Sequence, residues 1–290
     1  MSAVSESITQ RMTLGLLARR YGLEIDPPFA VNVTITSLSD TIDTVIPGSL
    51  FICGAAQGAD LPRAAQSGAY AALVPSALKG QCPDAGIPLL YGDLDDRMMG
   101  TLAAGFAGSP SSTMAVFVVA GDDEDVIDAD AHHLADFLHM LGNPVALVSA
   151  SGSTSMTRTL NLSYPLGILD MQRVLAVCAE DGVAAVIIAM NPSTLKPHAL
   201  ESVNVDVLGA QRSASGPDLA ELRDRYAFVA DGDLALTRPT RESDDLAADS
   251  PAASSMSRLR HMSLAIAMVL AAGVRRNNVR SALRVASNLT

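Results

Sequence analysis

The sequence predicts an α/β protein of two domains. A small α/β unit spans residues 1–112, and a larger unit with a doubly wound, mostly parallel sheet spans residues 113–290. Three observations predict this. A chain of 290 residues suits two ordinary domains. Short strands and helices alternate over the first hundred residues or so, and near residue 113 the pattern restarts with longer elements. The runs MAVFVVAG (114–121) and VAAVIIAM (183–190) are continuously apolar, as in strands covered on both faces.

The elements follow in order. TLGLLARRYGL (13–23) is an opening helix ended by Gly22. VNVTITSL (31–38) alternates like a strand, and SLFICG (49–54) is a strand after the turn Pro47-Gly48. LPRAAQSGA (61–69) is a short helix, with strands in AALVPS (71–76) and IPLLYG (87–92). RMMGTLAAGFAG (97–108) is a helix stopped by Gly108 and Pro110.

In the second unit, strand Met114–Ala120 leads through a loop into helix Ala131–Leu141, whose Leu134, Phe137, Leu138 and Leu141 keep helical spacing. Strands follow at 145–151, 183–190 and 205–211, with an amphipathic helix at 168–182. RPTRESDDLAADSPAASS (238–255), rich in Asp, Ser and Pro, predicts a surface loop or mobile segment. Residues 257–274 form a long helix and 276–287 a terminal one.

Composition excludes several functions. The net charge of −11 and a pI near 4.8 argue against nucleic acid and against an anionic membrane surface, both of which need basic patches. Met262–Val274 is apolar but shorter than the roughly 18–20 residues of a membrane span. No secretory h-region opens the chain. Cys53, Cys82 and Cys178 are scattered and odd in number, giving neither a disulfide framework nor metal-ligand spacing. A reduced cytoplasmic setting is the expectation. Hydrophobic residues are 49% of the chain but aromatics only 4%, so the core is built from Ala, Val, Leu, Ile and Met.

The order of certain motifs resembles the Mur ligase family, the ATP-dependent enzymes that add amino acids to the peptidoglycan precursor. SDTIDTVIPGSLFI matches the family's D-S-R-x-V-x-P-G-D-L-F at Val45, Pro47, Gly48, Leu50 and Phe51. PRAAQSGAYAALV matches P-x-A-x-x-x-G-A-x-A at Pro62, Ala64, Gly68, Ala69 and Ala71. FAGSPSSTMAVFVVAG resembles the lead-in to the ATP loop, LDMQRVLAVCAEDGVAAVIIAM the helix and strand after the substrate loop, and HMSLAIAMVLAAGV the helix near the end of the central domain. The muramyl-tripeptide synthetase branch, acting on UDP-MurNAc-dipeptide, is the nearest in pattern. The resemblance implies an N-terminal UDP-binding-like domain and a central P-loop ligase domain.

The departures fall on the chemistry. Against the family's G-T-N-G-K-T-T stand Gly121, Asp122, Asp123, Glu124, Asp125, Val126 and Ile127. Asp125 takes the place of the phosphate-binding lysine and Val126 that of the magnesium-holding hydroxyl. The chain's lysines, Lys79 and Lys196, lie in other segments. The E-V-S-S-H run is Ala189-Met190-Asn191-Pro192-Ser193, and SASGPDLAEL replaces D-H-x-D-x-H. No lysine stands where the family carries its carbamylated one. The D-S-R arginine is replaced by Asp43 or Thr41. The sequence stops where the third, amino-acid-selecting domain would follow. The expectation is a degenerate P-loop with no catalytic residues, loss of ATP and magnesium, and carboxylates that serve only as a helix start.

Other candidates remain. The resemblance offers Ser39, Asp40 and Gly48 in the first motif, and Ser151, Ser153 and Ser163 in and after the hydroxyl-rich SASGSTSMTRT (149–159), as ligand-binding residues; an ordinary turn reads the same way. The acidic run through Asp128 and Asp130 lacks the central glycine and closing glutamate of a calcium loop, and a solvated helix cap is the expectation. His132, Asp136 and His139 share a helical face, which is expected to point outward and to hold no metal. No G-x-S-x-G elbow of a serine hydrolase is present. Three functions compete. One is a non-catalytic binding or regulatory protein in peptidoglycan precursor synthesis, with a protein partner or a second copy of itself. The others are a residual binder of UDP-MurNAc-peptide and a ligase with an aberrant site.

Overall fold

A computed structural model of the chain describes residues 12–212, 216, 218–250 and 255–288. The chain divides into two compact units, Met1–Ser109 and Pro110–Thr290.

In the first unit, β1 (Met12–Thr13) runs into α1 (Leu14–Tyr21), whose N-cap Thr13 accepts a hydrogen bond from the Leu16 N–H. Gly22 ends the helix in the left-handed region. Then come β2 (Glu24–Asp26), β3 (Thr34–Ile35), β4 (Ser37–Ser39) and β5 (Ser49–Ile52). After them stand α2 (Leu61–Gln66), β6 (Ala69–Val74), β7 (Leu89–Tyr91) and α3 (Asp96–Ala107). The main sheet has the order β2-β7-β6-β5-β4, parallel except for β2.

The alternating run at 31–38 is not one strand. Residues 28–32 form a 3-10 turn, β3 pairs with β1, and β4 joins β5 in the other sheet. The two pieces alternate in polarity alike but serve different partners, so periodicity alone joins them. Gly48, at φ +93°, makes the turn into β5; a Cβ there would lie 2.3 Å from Thr36 Oγ1.

In the second unit, β8 (Ala115–Ala120), α4 (Glu124–Met140), β9 (Val145–Val148), β10 (Ser153–Ser155) and β11 (Arg158–Leu160) come first. Next are α5 (Ile168–Glu180), β12 (Ala185–Ala189), β13 (Val207–Ala210), α6 (Leu219–Tyr226) and β14 (Leu236–Thr237). Helices α7 (Arg241–Ala248), α8 (Met256–Ala271) and α9 (Arg276–Asn288) follow. The strand order is β11-β10-β9-β12-β8-β13-β14, parallel from β9 to β14 with an antiparallel hairpin at one edge. That hairpin occupies the stretch expected to be a turn.

Both faces of the sheet are covered. Val116, Val118 and Ala120 of β8 pack with α5 and α6 residues such as Leu175 and Leu222. Phe117 and Val119 pack with Leu134 and Phe137 of α4 and Ile266 of α8. This accounts for the unbroken apolar strands. Helix α8 lies close on β13, where Gly209 leaves room: a Cβ there would meet Met268 Sδ at 2.2 Å.

The segment expected to be a loop at 238–255 contains helix α7 instead; residues 251–254 lie outside the described residues. Thr240 Oγ1 accepts from the Ser243 N–H at 3.1 Å and Ser243 Oγ accepts from the Thr240 N–H at 2.8 Å. This reciprocal cap satisfies N-terminal donors, while Leu246 and Ala247 are buried against α8. The polar composition that suggests a loop is the outer face of a short amphipathic helix.

Burial pushes the thiols of Cys53 and Cys178 up to about 11, with Cys82 adding to the effect at Cys53. At pH 8 only about one buried thiol in a thousand is then ionised. Ellman's reagent should therefore modify half-buried Cys82 in the folded protein and reach Cys53 and Cys178 only after unfolding. Equal reaction of all three in the folded state would contradict this packing.

Candidate functional site

The chain leaves β8 through α4 to reach β9, and leaves β12 in the opposite direction to reach β13, while β8 and β12 are neighbours. The two connections leave in opposite directions, so the carboxyl ends of these strands form a topological switch point, the place where open α/β sheets hold ligands in a crevice.

The loop that enters this crevice is short. Gly121–Asp123 connect β8 to α4, which begins at Glu124 rather than at Ala131. Ile127 continues the apolar stripe of Ala131, Leu134 and Leu138, and Glu124 and Asp125 suit the first turn of a helix dipole. Strand, loop and helix therefore keep the expected order, with the loop contracted from the C-terminal side. Asp123 is the N-cap. Its Oδ1 accepts from the backbone N–H groups of Asp125 at 3.0 Å and Val126 at 3.2 Å.

Side chains from the neighbouring strand ends knit the crevice together. Ser193, after β12, donates to Glu124 Oε2. Asp128 Oδ1 accepts from Ser149 Oγ at 2.8 Å and from Asn191 Nδ2 at 3.2 Å, linking α4 to the loops after β9 and β12. Ser149 Oγ in turn accepts from the Ser151 N–H at 3.1 Å. The Ala150 N–H donates to Thr194 Oγ1 at 3.0 Å, and the Thr194 N–H to Asn191 Oδ1 at 2.8 Å. Lys196 lies beside Gly167 at the start of α5.

The acidic run is not a uniformly solvated cap, as expected from sequence. Asp122, Asp123, Glu124 and Asp125 are exposed, but Asp128 is half-buried and Asp130 only 2% exposed. Asp130 Oδ1 accepts from His261 Nδ1 and from Gln211 Nε2, both at 2.7 Å. Burial pushes its carboxyl above the ordinary range, and those two hydrogen bonds pull it the other way. His133 stacks on His261 with ring centres 4.7 Å apart. The pair Asp130–His261 joins residues 131 positions apart, so no local pattern could reveal it.

The ligand candidates fall in separate units. In the first, Ser39 Oγ donates to Thr41 O at 2.8 Å, Asp40 O accepts from Gln57 Nε2, and Gly48 shapes its turn. In the second, Ser153 is buried and bonded to Ser149 and Tyr164, whereas Ser151 and Ser163 are exposed. His132, Asp136 and His139 line a groove of about 520 Å³ beside β9 and β10. No group of three or more His, Cys, Asp or Glu side chains among the described residues is placed to hold a metal. No helix among them is long and apolar enough to cross a membrane.

No protein-family model matches the chain, and no curated protein matches it in sequence. Solved structures do. The chain aligns over 96% of its length with MurF from Acinetobacter baumannii, at 10% identity and a TM-score of 0.52, covering 68% of that chain. A second structure, the UDP-N-acetylmuramoylalanyl-D-glutamyl-2,6-diaminopimelate–D-alanyl-D-alanyl ligase from the same organism, gives 11% identity and a TM-score of 0.51 over 96% of this chain and 69% of that one. A UDP-N-acetylmuramoyl-L-alanyl-D-glutamate–2,6-diaminopimelate ligase aligns at 15% identity and a TM-score of 0.46 over 73% of this chain, which spans 43% of that ligase. At these identities the likeness concerns architecture, and the chain has the fold of the Mur ligases.

Proposed function

We propose that this chain is a Mur-ligase-like protein without ligase activity, acting by binding or regulation in peptidoglycan precursor synthesis, and using neither ATP nor magnesium. The observation that carries the reading is the Asp123 carboxylate on the Asp125 and Val126 N–H groups. Those donors are the ones a helix N-terminus offers to a phosphate. A side chain already fills that position, and Asp122, Glu124 and Asp125 surround it with like charge. The residues present do not fit a magnesium triphosphate. Such a protein acts through a protein partner or a second copy of itself.

A residual role in holding UDP-MurNAc-peptide is the second reading, supported by the exposed Ser151 beside the Ser149–Asp128 network. The test is an assay with UDP-MurNAc-dipeptide, amino acids and magnesium ATP, paired with calorimetric titration of the UDP-sugar-peptide alone. No ADP release is expected. Turnover of ATP coupled to ligation would overturn the proposal. A micromolar dissociation constant for the sugar-peptide without turnover would select the binder over the protein-partner role.

A further inference from the structure

We propose that Ser257, His261 and Asp130 form an acyl-transfer site that hydrolyses a small ester bearing an anionic group. This activity is independent of ATP and goes beyond the proposed binding role. Ser257 and His261 lie one turn apart on α8, so their side chains share a face. Ser257 Oγ is 3.2 Å from His261 Nε2, and His261 Nδ1 is 2.7 Å from Asp130 Oδ1. The carboxylate at Nδ1 fixes the tautomer in which Nε2 is the acceptor, so Nε2 can take the serine proton. Gln211 holds the same carboxylate oxygen from another side. His261 is 12% exposed and Asp130 2%, so the base is oriented from a dry interior, while the serine hydroxyl faces solvent.

The surroundings are those of a site. Ser257, His261, Arg260, Arg212, Val126 and Pro239 line one cavity of about 330 Å³, enough for a small acyl group. Arg212 is held by Asp244 at 2.7 Å and by Pro239 O at 2.9 Å, and Arg260 stands exposed at the wall. Two guanidinium groups against the single, half-buried carboxylate of Asp244 in the lining favour an anionic substrate. Ser255, the N-cap of α8, makes no side-chain hydrogen bond to the helix, so first-turn N–H groups near Ser257 can meet a developing oxyanion. The absence of a G-x-S-x-G elbow excludes only the strand-to-helix class of serine hydrolase; here the serine sits on the first turn of a helix.

The chemistry balances. Ser257 Oγ attacks the ester carbonyl as its proton passes to His261 Nε2. The ester C–O bond breaks, and the leaving alkoxide takes that proton. Water then attacks the acyl-serine, giving a proton to Nε2, which returns it to Ser257 Oγ as the carboxylic acid leaves. Ester and water become acid and alcohol. Asp130 is a positioning residue that bonds to His261 and Gln211 and does not touch the substrate.

The test uses the full chain with 4-nitrophenyl hemisuccinate, 4-nitrophenyl acetate and a fluorophosphonate probe. Hemisuccinate turnover and a probe adduct on Ser257, located by peptide mass, are expected. Ser257→Ala and His261→Gln should each cut turnover about 100-fold or more. Arg260→Ala should raise KM for the hemisuccinate by a larger factor than KM for the acetate. Asp130→Asn should lower kcat per Ser257 site titrated by the probe, a ratio that a smaller folded fraction alone leaves unchanged. Ser257 is exposed, so its variant keeps the parent thermal midpoint. No adduct on Ser257, turnover unchanged in Ser257→Ala, or an adduct formed equally fast in His261→Gln would each overturn the proposal.

Discussion

Magnesium ATP titrated into this protein should give no binding heat up to millimolar concentration. Millimolar affinity is worth about 4 kcal/mol, so a modest repulsion is enough to abolish it. Asp122, Asp123, Glu124 and Asp125 are exposed around the helix start, where magnesium ATP would bring further net negative charge. At about 4 Å and an effective dielectric near 20, one like-charge contact costs about 4 kcal/mol, and salt screening leaves a fraction of that for each of several contacts. The helix N–H groups that would repay the cost already bond to Asp123. Isothermal calorimetry decides the matter. A micromolar dissociation constant that disappears when residues 122–125 are changed would sink the reading. Tight binding that survives those changes would place the nucleotide elsewhere on the protein.

The fold was legible wherever one physical demand dominates a stretch of sequence. Strands β8 and β12 are buried on both faces and read as unbroken apolar runs. Helices α1 and α3 end at Gly22 and Gly108, both left-handed, as their sequences announce. Reading failed where two demands share one stretch. Helix α7 turns only Ser243, Leu246 and Ala247 fully inward, two of them apolar, and its remaining residues are those of a loop. The acidic start of α4 carries solvent-facing charge and inward hydrogen-bonding at once: Asp125 faces water, while Asp128 and Asp130 hold together segments far away in sequence. The site was legible as a departure from a pattern at Gly121–Asp125. Its actual connections, to Asn191, Ser149, Gln211 and His261, depend on which strand ends and helices meet, and that is settled by the β9-β12-β8-β13 order and the packing of α8 on α4 rather than by local spacing.

Replacing Phe137 by alanine should destabilise the second unit by about 3–5 kcal/mol, a large share of the roughly 5–15 kcal/mol that holds a domain folded. Phe137 is fully buried and sits in the layer between α4, α8 and the sheet, packed with Leu134, Ile187 and Leu264. The chain has only 6 phenylalanines and no tryptophan, so the aliphatic side chains around it include nothing of similar bulk to collapse into the space. The cost therefore includes both lost transfer free energy and a cavity that stays open. Met140, one turn along on the same helix, is 39% exposed, and its replacement by alanine should change stability by about 0.5 kcal/mol or less. Urea titrations of the two variants, followed by circular dichroism, make the comparison. Equal midpoints would mean that α4 does not pack on the sheet through the stripe of Ile127, Leu134, Phe137 and Leu138. The crevice would then lose the helix that carries Asp123, Asp128 and Asp130 into it.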